Sequence, residues 1–276
     1  MRIDAHQHYW QIERGDYGWL TPDIPVLNRD FLPPDLKSHL DAHRLDGSIV
    51  VQAAPTPEET EFLLSLAATD DSIKGVVGFL DLADASHPVH FERFARHPKF
   101  VGFRITIQDM PDARVIVDPA YVEALRSYAV QGIAVDLLVK SDQLEPLIEL
   151  VKQVPGLHGV IDHIAKPRIA EGAMEPWADQ IAELASHANL YCKLSGMVTE
   201  ADHERWKAEQ FIPYVRHVLA CFGPDRVMFG SDWPVCLLAA GYDEVVDILE
   251  RALPDTWGDE EREKLFGLNA KAFYRL

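Results

Sequence analysis

Two histidines near the start of the chain, His6 and His8, stand two residues apart at the end of an apolar segment. Successive side chains of a β-strand point to opposite faces, so residues two apart point to the same side. Two imidazoles on one face of a strand end can bind a metal ion or stabilise an oxyanion. A hydrogen-bonded pair of core histidines is the alternative interpretation. The spacing therefore predicts a chemical site within the first ten residues.

A carboxylate and a third histidine end two other apolar segments. Asp232 follows a segment close to the end of the chain, and His163 follows one in its second half. Asp232 could instead cap a helix, and His163 could simply be held in place by the neighbouring Asp162. If these segments are parallel strands of one barrel, their carboxyl ends lie at the same rim. We then expect Asp232 and His163 to face the first histidine pair.

Two cations lie inside predicted strands, where charged side chains are rare. Arg104 and Lys193 would need an anionic or hydroxyl-rich partner in a barrel mouth, or else a structural ion pair. Asp81 and Asp136 also lie in predicted strands, and we expect them to orient these cations.

Two tryptophans directly follow the first and last of these motifs. Trp10 and Trp233 could form the wall of a pocket or stack on the face of a sugar. The alternative is that both are core aromatic residues.

Eight short apolar segments alternate with longer amphipathic ones. The predicted strands are 2–6, 48–52, 76–81, 101–106, 133–139, 159–163, 190–194 and 227–232, and helical patterns include 57–68, 119–131, 141–153, 175–187 and 208–222. Eight repeats of strand and helix predict an α/β fold, a single (β/α)8 TIM-type barrel over residues 1–276. The proline-containing stretch at about 11–36 predicts a long loop that could cover the mouth of the active site.

The composition limits the partners. The 276 residues carry a net charge of −18, which disfavours nucleic acid and anionic membranes. Three cysteines without a Cys-x-x-Cys pair indicate free thiols, and no apolar run has the length of a signal peptide or a membrane span. We therefore expect a cytoplasmic protein with a small-molecule partner. Whether the chain forms a homo-oligomer stays an open question.

Motifs along nearly the whole chain resemble the amidohydrolase superfamily, in particular its sugar lactonase branch. The motifs are Asp4-Ala5-His6-Gln7-His8-Tyr9-Trp10, Arg29-Asp30-Phe31-Leu32-Pro33, Val50-Val51-Gln52-Ala53, Gly75-Val76-Val77-Gly78, Gln108-Asp109, Asp162-His163-Ile164-Ala165-Lys166-Pro167, Tyr191-Cys192-Lys193-Leu194-Ser195-Gly196 and Phe229-Gly230-Ser231-Asp232-Trp233-Pro234-Val235-Cys236.

The resemblance implies a hydrolase that opens a sugar lactone, L-fuconolactone or a related aldonolactone, to the aldonic acid. It implies that Asp232 is the general base, and that His6, His8 and His163 polarise the lactone carbonyl directly or through a cation. The side chains expected to bind the sugar hydroxyls are Arg104, Gln52, Lys193, Trp10 and Trp233.

The resemblance also implies one divalent cation, with zinc as the first candidate. The three histidines and Asp232 would hold it, and activity need not require it. Many members of the superfamily have a carboxylated lysine at the end of strand four and a histidine at the end of strand five. Here Arg104 and the stretch 136–139 occupy those places. A two-metal site is therefore not expected.

Three other functions stay open at this stage. A metal-dependent decarboxylase of the same superfamily also begins with a same-face histidine pair. A lactone isomerase would leave the ring unhydrolysed, and a non-catalytic sugar-binding or metal-binding barrel would not need a general base.

Overall fold

Eight parallel strands form one sheet in the order of the chain in the computed structural model, which describes residues 1–276. They are β1 (Ile3–Gln7), β2 (Gly47–Val51), β3 (Ile73–Phe79), β4 (Phe100–Thr106), β5 (Ala134–Leu138), β6 (Gly159–Ile161), β7 (Leu190–Leu194) and β8 (Val227–Phe229). The sheet closes on itself because Gln7 pairs in parallel with Trp233, and the His8 N–H donates to the Trp233 carbonyl at 2.7 Å. The predicted (β/α)8 barrel is confirmed.

Ten α-helices accompany the strands. They are α1 (Pro33–Ala42), α2 (Pro57–Ala67), α3 (His87–Phe94), α4 (Pro119–Gln131), α5 (Leu144–Gln153), α6 (Trp177–Ala185), α7 (Ile212–Phe222), α8 (Tyr242–Ala252), α9 (Asp259–Glu263) and α10 (Asn269–Tyr274). None of them has both the length and the apolar character that crossing a membrane requires.

The first helix begins earlier than the sequence suggested. The predicted loop at about 11–36 ends at Leu32, because α1 starts at Pro33. The Asp35 carboxylate accepts a hydrogen bond from the Leu32 N–H at 2.9 Å, and proline is well suited to a first helical turn. The last four residues of the predicted loop are therefore helical.

The loop before α1 packs over the end of β2 through aromatic residues. Trp10 and Phe31 exchange two backbone hydrogen bonds of 3.0 Å, which bring the two ends of the loop together. The Trp19 indole N–H donates to the Ala53 carbonyl at 2.9 Å. That this loop covers the mouth of the active site stays a prediction.

The barrel interior is apolar at one end and polar at the other. Ala5, Met228 and other interior side chains pack against Phe273 and Tyr274 of α10, which closes the apolar end. The pairing of β1 with β2 shifts register between Asp4 and Gln7. As a result the residue after Ala5, His6, also points into the barrel, where it lies 3.2 Å from Lys193.

Glu59 of α2 is fully buried and holds the turn that follows β2. Its carboxylate accepts hydrogen bonds of 2.8 to 3.0 Å from the N–H groups of Ala53 and Ala54. Burial raises the pKa of Glu59 from 4.5 to about 8, against the effect of these hydrogen bonds. A carboxyl whose pKa is raised by folding stabilises the fold at low pH, and this contribution is lost as the pH rises towards the folded-state pKa.

Glu59→Gln should therefore reduce the pH dependence of stability. Between about pH 5.5 and about pH 8.5, the wild type should lose about 3 kcal/mol more unfolding free energy than the variant. Urea unfolding at both pH values measures this, with the exposed neighbour Glu58→Gln as the control. Parallel pH profiles for wild type and Glu59→Gln would contradict the assignment.

Candidate active site

The four side chains singled out at strand ends lie together at the polar end of the barrel. Nε2 of His8 lies 3.2 Å from Nε2 of His6 and 3.3 Å from Oδ1 of Asp232. The same Asp232 oxygen lies 3.9 Å from Nε2 of His6 and from Nε2 of His163. None of the four residues is more than 4% exposed. Three imidazoles and one carboxylate thus converge on one point that is shielded from bulk water.

Backbone hydrogen bonds across the closure of the barrel fix this convergence. The Asp232 N–H donates to the His6 carbonyl at 2.8 Å. Just below, the buried carboxylate of Asp4 accepts hydrogen bonds from the Ser231 N–H at 2.9 Å, the Ser231 hydroxyl at 2.5 Å and the Tyr242 hydroxyl at 3.0 Å. Asp4 was not among the predicted site residues, although it begins the first motif.

Both Asp232 and His163 lie beyond their strands in the left-handed region of the backbone. Asp232 has φ 57°, and the four residues 163–166 have φ values from 48° to 59°. Such backbone costs about 1 to 2 kcal/mol per residue and is often found at functional sites. The Trp177 indole N–H donates to the Ile164 carbonyl at 2.7 Å and so helps to hold the turn at 163–166.

The outer ring nitrogens of the histidines have fixed partners. Nδ1 of His8 lies 2.7 Å from the Val51 carbonyl oxygen, and Nδ1 of His163 lies 2.9 Å from the Ser195 hydroxyl. Nδ1 of His6 lies 3.2 Å from Nζ of Lys193. These contacts set the orientation of each ring, so that every Nε2 points to the centre.

The protonation states suit a centre that works near neutral pH. Burial lowers the pKa of His6 and of His163 well below the usual value, so both imidazoles are neutral. Burial alone would raise the pKa of Asp232, but the proximity of His163 and the hydrogen bond with His8 outweigh it, and the pKa lies below the usual value. Asp232 is therefore an ionised carboxylate, able to accept a proton.

Gly196 must be glycine for His163 to keep its place. It has φ 58°, and a Cβ there would lie 2.4 Å from Nδ1 of His163. Gly172 has φ 65° and open space around the corresponding position. The two glycines share the same backbone conformation. They differ in whether the Cβ of an alanine at the position would collide with another residue.

Gly196→Ala and Gly172→Ala form a matched pair. Each should lose about 1 kcal/mol of unfolding free energy from its left-handed backbone. Only Gly196→Ala should also lower kcat, by about tenfold to a hundredfold, because it displaces an imidazole of the centre. Thermal unfolding and initial rates separate the two effects, and equal rates for the two variants would show that the position of His163 does not matter.

Lys193 lies beneath the centre and not at the mouth. Its ammonium is fully buried, bonds to Asp136 and lies 3.2 Å from Asp162. Asp136 also accepts a hydrogen bond from the Tyr274 hydroxyl at 2.8 Å, and burial raises its pKa to about 6. The predicted role of Lys193 in binding substrate does not fit this placement, whereas the alternative of a buried ion pair does. Asp136 orients Lys193, as expected.

Arg104 and Gln52 are close to the centre and keep unused donors. Arg104 donates to the Gln52 carbonyl, and its Nη1 lies 3.6 Å from Asp162. Its Nε and the Gln52 side-chain amide nitrogen are buried without a hydrogen-bond partner. Asp81, expected to orient a cation, is exposed two residues beyond β3, and its carboxylate accepts from the Ala83 N–H instead.

Both tryptophans are core residues in this structure. Trp10 is fully buried and donates its indole N–H to the Arg29 carbonyl at 2.8 Å. Trp233 is 2% exposed and packs edge-on against Phe31, with ring centroids 5.2 Å apart. Neither indole is open to a substrate, because aromatic side chains of the segment between β1 and α1 cover them.

The convergent atoms fit a divalent cation. Zinc bonded to four ligands at about 2.0 to 2.1 Å places neighbouring ligand atoms about 3.3 Å apart. The His6–His8 and His8–Asp232 separations of 3.2 and 3.3 Å match this spacing, and the ligand atoms of His6, His8 and Asp232 lie within 4.8 Å of one another. Nε2 of His163 lies 3.9 Å from Asp232 and would have to move towards these three atoms to become a fourth ligand. Imidazole nitrogens and a carboxylate are also donors that zinc prefers. The centre can therefore hold one divalent metal ion.

Two adjoining cavities of about 220 and 260 Å³ lie at the ends of β3 and β4, and none of the four side chains of the centre lines either of them. Both are lined by Phe79 and Asp81, and Phe79 pairs in register with Arg104. Arg104 itself lines neither cavity, and the histidines are covered.

Comparison with known proteins finds relatives over the full length of the chain. A family model described as Amidohydrolase matches residues 3–276. L-fucono-1,5-lactonase of Burkholderia ambifaria is 39% identical over 280 residues, which cover 100% of this chain and 96% of the relative. L-rhamnono-gamma-lactonase of Scheffersomyces stipitis is 27% identical and covers 63% of this chain and 59% of its own length. The crystal structure of an amidohydrolase from Burkholderia multivorans with bound Zn is 38% identical, has a TM-score of 0.94 and covers 100% of this chain and 99% of that chain.

Proposed function

This chain belongs to the amidohydrolase family, and on that premise we propose that it is a sugar lactonase, which hydrolyses L-fucono-1,5-lactone or a related aldonolactone to the aldonic acid. The observation that carries the proposal is the full-length identity of 39% to an L-fucono-1,5-lactonase. A buried centre with one ionised carboxylate among three imidazoles suits the hydrolysis of an ester bond.

Asp232 acts as the general base in the proposed mechanism. Its carboxylate takes a proton from a water molecule, and the resulting hydroxide attacks the carbonyl carbon of the lactone. Imidazole N–H groups of the centre stabilise the negative charge that develops on the carbonyl oxygen. When the tetrahedral intermediate collapses, the bond from the carbonyl carbon to the ring oxygen breaks. Asp232 returns the proton to that oxygen, and the aldonic acid formed then ionises.

Arg104 and Gln52 bind the sugar hydroxyls. Each has a buried N–H donor without a partner, and such donors cost stability unless a ligand satisfies them.

A zinc ion would be held by His6, His8, His163 and Asp232. When bound, it would polarise the lactone carbonyl and lower the pKa of a coordinated water. We propose that the hydrolysis does not depend on it, since the imidazoles of this chain can supply N–H donors themselves.

Proton release on mixing with lactones tests the function. The panel comprises L-fucono-1,5-lactone, L-rhamnono-gamma-lactone, L-galactonolactone and D-arabinonolactone, each with and without chelator. Acidification that persists in chelator supports a lactonase in which the imidazoles act directly, and acidification lost in chelator makes the cation essential.

Product analysis and binding measurements, beyond proton release, separate the other functions considered for this fold. Release of carbon dioxide from an aromatic acid without lactone hydrolysis would indicate a decarboxylase. An unhydrolysed isomeric lactone would indicate an isomerase, and binding without turnover would indicate a sugar-binding barrel. Any of these three results would overturn the proposal.

A further inference from the structure

Glu59 has the sequence position of a helix cap, but its side chain has other partners. The Thr56 hydroxyl accepts from the Glu59 N–H at 3.2 Å, as in a capping box, in which the Glu59 side chain would accept from the Thr56 N–H in return. The Thr56 N–H donates instead to the Ala54 carbonyl at 2.9 Å. The Glu59 carboxyl extends further and accepts from the N–H groups of Ala53 and Ala54 at 2.8 to 3.0 Å. It therefore holds the turn after β2 and not the end of the helix.

The first peptide unit of this turn connects the Glu59 carboxyl to a guanidinium. The Gln52 carbonyl and the Ala53 N–H belong to one planar unit, so an acceptor that fixes the N–H also fixes the direction of the carbonyl. Glu59 binds the N–H, and Arg104 of β4 donates to the carbonyl on the other side. The Gln52 N–H is itself held by the Val77 carbonyl of β3 at 2.9 Å. The direction of the Gln52 carbonyl is thus set by fixed contacts on both sides of it.

The guanidinium of Arg104 depends on this one carbonyl. Gln52 supplies the only hydrogen-bond acceptor that Arg104 has within the chain. Its Nη1 lies 3.6 Å from Oδ2 of Asp162, and its Nε has no partner, although the side chain is only 5% exposed. A long arginine side chain has many rotamers, and fixing one of them is costly. The single acceptor therefore decides where the unused donors of the guanidinium point.

We propose that Glu59 is a positioning residue for Arg104, whose guanidinium it orients through the peptide unit between Gln52 and Ala53. The inference rests on the proposed lactonase function, in which Arg104 and Gln52 bind the sugar hydroxyls. The hydrogen bonds of the Glu59 carboxyl go to the turn alone, and none of them reaches the histidine centre. Glu59 should therefore contribute to the binding of substrate and not to the chemical step.

Glu59→Gln changes the contact that matters and keeps the shape of the side chain. The Ala53 N–H lies 2.9 Å from one carboxyl oxygen and 3.0 Å from the other, so the NH2 group of a glutamine would face it in either orientation. We expect KM to rise about tenfold and kcat to change by less than about twofold. The exposed neighbour Glu58→Gln is the matched control and should leave both constants unchanged. An unchanged KM, or a fall in kcat alone, would overturn the proposal.

A double-variant cycle shows whether Glu59 acts through the arginine. Arg104→Gln removes the guanidinium, so adding Glu59→Gln to it should change kcat/KM by less than about twofold, against about tenfold in the wild-type background. An effect of Glu59 on the stability of the turn alone would be the same in both backgrounds. A loss of about tenfold that persists without the arginine would therefore overturn the proposal.

The guanidinium can also be observed without substrate, in the full-length protein labelled with ¹⁵N-arginine. Its buried, hydrogen-bonded Nη–H protons should exchange slowly with water, and Arg104→Gln identifies their signals. We expect slow exchange in the wild type and in Glu58→Gln, and exchange about tenfold faster in Glu59→Gln. Wild-type signals that exchange as fast as those of the exposed Arg44 would overturn the proposal, whatever the variants do. Unchanged exchange in a folded Glu59→Gln variant would also overturn it.

The outcomes of the two proposals are separable, because the spectra are recorded without substrate. Faster exchange at Arg104 in Glu59→Gln, in a protein inactive on every lactone, would overturn the proposed function and support the positioning role of Glu59. Hydrolysis of a lactone with no change at Arg104 in Glu59→Gln would do the reverse.

Discussion

Asp232→Asn is expected to lower kcat about 10³-fold on the lactone that the wild type hydrolyses best. The amide has the same shape but cannot take a proton from water. Asparagine also tolerates the left-handed backbone that this position requires, with φ 57°. The barrel should therefore stay folded, and the measurement is kcat together with the unfolding temperature.

Two comparisons sharpen this experiment. The exposed Asp255→Asn should leave kcat unchanged, and Asp232→Ala should be as inactive as Asp232→Asn but less stable by about 1 kcal/mol, because alanine disfavours this backbone. Near-wild-type kcat in Asp232→Asn would rule out Asp232 as the base.

The acid side of the pH profile provides a second test of the same residue. Because the pKa of Asp232 lies below its usual range, the carboxylate stays ionised throughout the neutral region. Loss of kcat/KM on acidification should consequently begin only at about pH 4 or below. Loss that begins above about pH 5.5 would assign the base to another group.

The convergence of the site could be predicted because it follows from two simple rules. Period-two alternation placed His6 and His8 on one face, and the common rim of parallel strands placed Asp232 and His163 beside them. The left-handed turns after β6 and β8 could not be predicted. Strand patterns extended to His163 and Asp232, whereas the strands end two and three residues earlier. Nothing in a hydrophobic pattern reports the sign of φ at the residues that follow.

The surroundings of the site were less accessible to sequence reasoning. A lysine inside an apolar strand indicated that Lys193 has a partner, but not on which side of the histidines it lies. One member of its network, Tyr274, comes from the last helix, and no local pattern connects residues so far apart in the chain. Trp10 was adjacent to the motif in sequence, yet its indole turns into the aromatic cluster of the loop because burial there is more favourable than exposure at the mouth.

Lys193→Met is expected to lower the unfolding free energy by about 3 to 5 kcal/mol, the usual cost of removing one partner from a buried ion pair. The variant leaves Asp136 and Asp162 together in the barrel without the ammonium between them. Methionine fills a similar volume, so the loss comes from uncompensated charge and not from a cavity. Urea unfolding measures it, and the exposed Lys37→Met, which breaks only a surface pair with Asp41, should cost less than about 0.5 kcal/mol.

The pH dependence of that loss identifies its cause. Even with the lysine present, burial raises the pKa of Asp136 to about 6, and without the lysine the carboxyl should hold its proton to still higher pH. A carboxyl with a raised folded-state pKa stabilises the fold below its unfolded pKa and loses that contribution as the pH rises through the folded value. Lys193→Met should thus be closest to the wild type in stability at about pH 5 and furthest from it at about pH 8. Adding Asp136→Asn should restore most of the loss at the higher pH. A loss that is the same at both pH values, and that Asp136→Asn does not relieve, would mean that Lys193 stabilises the barrel by packing and not by charge.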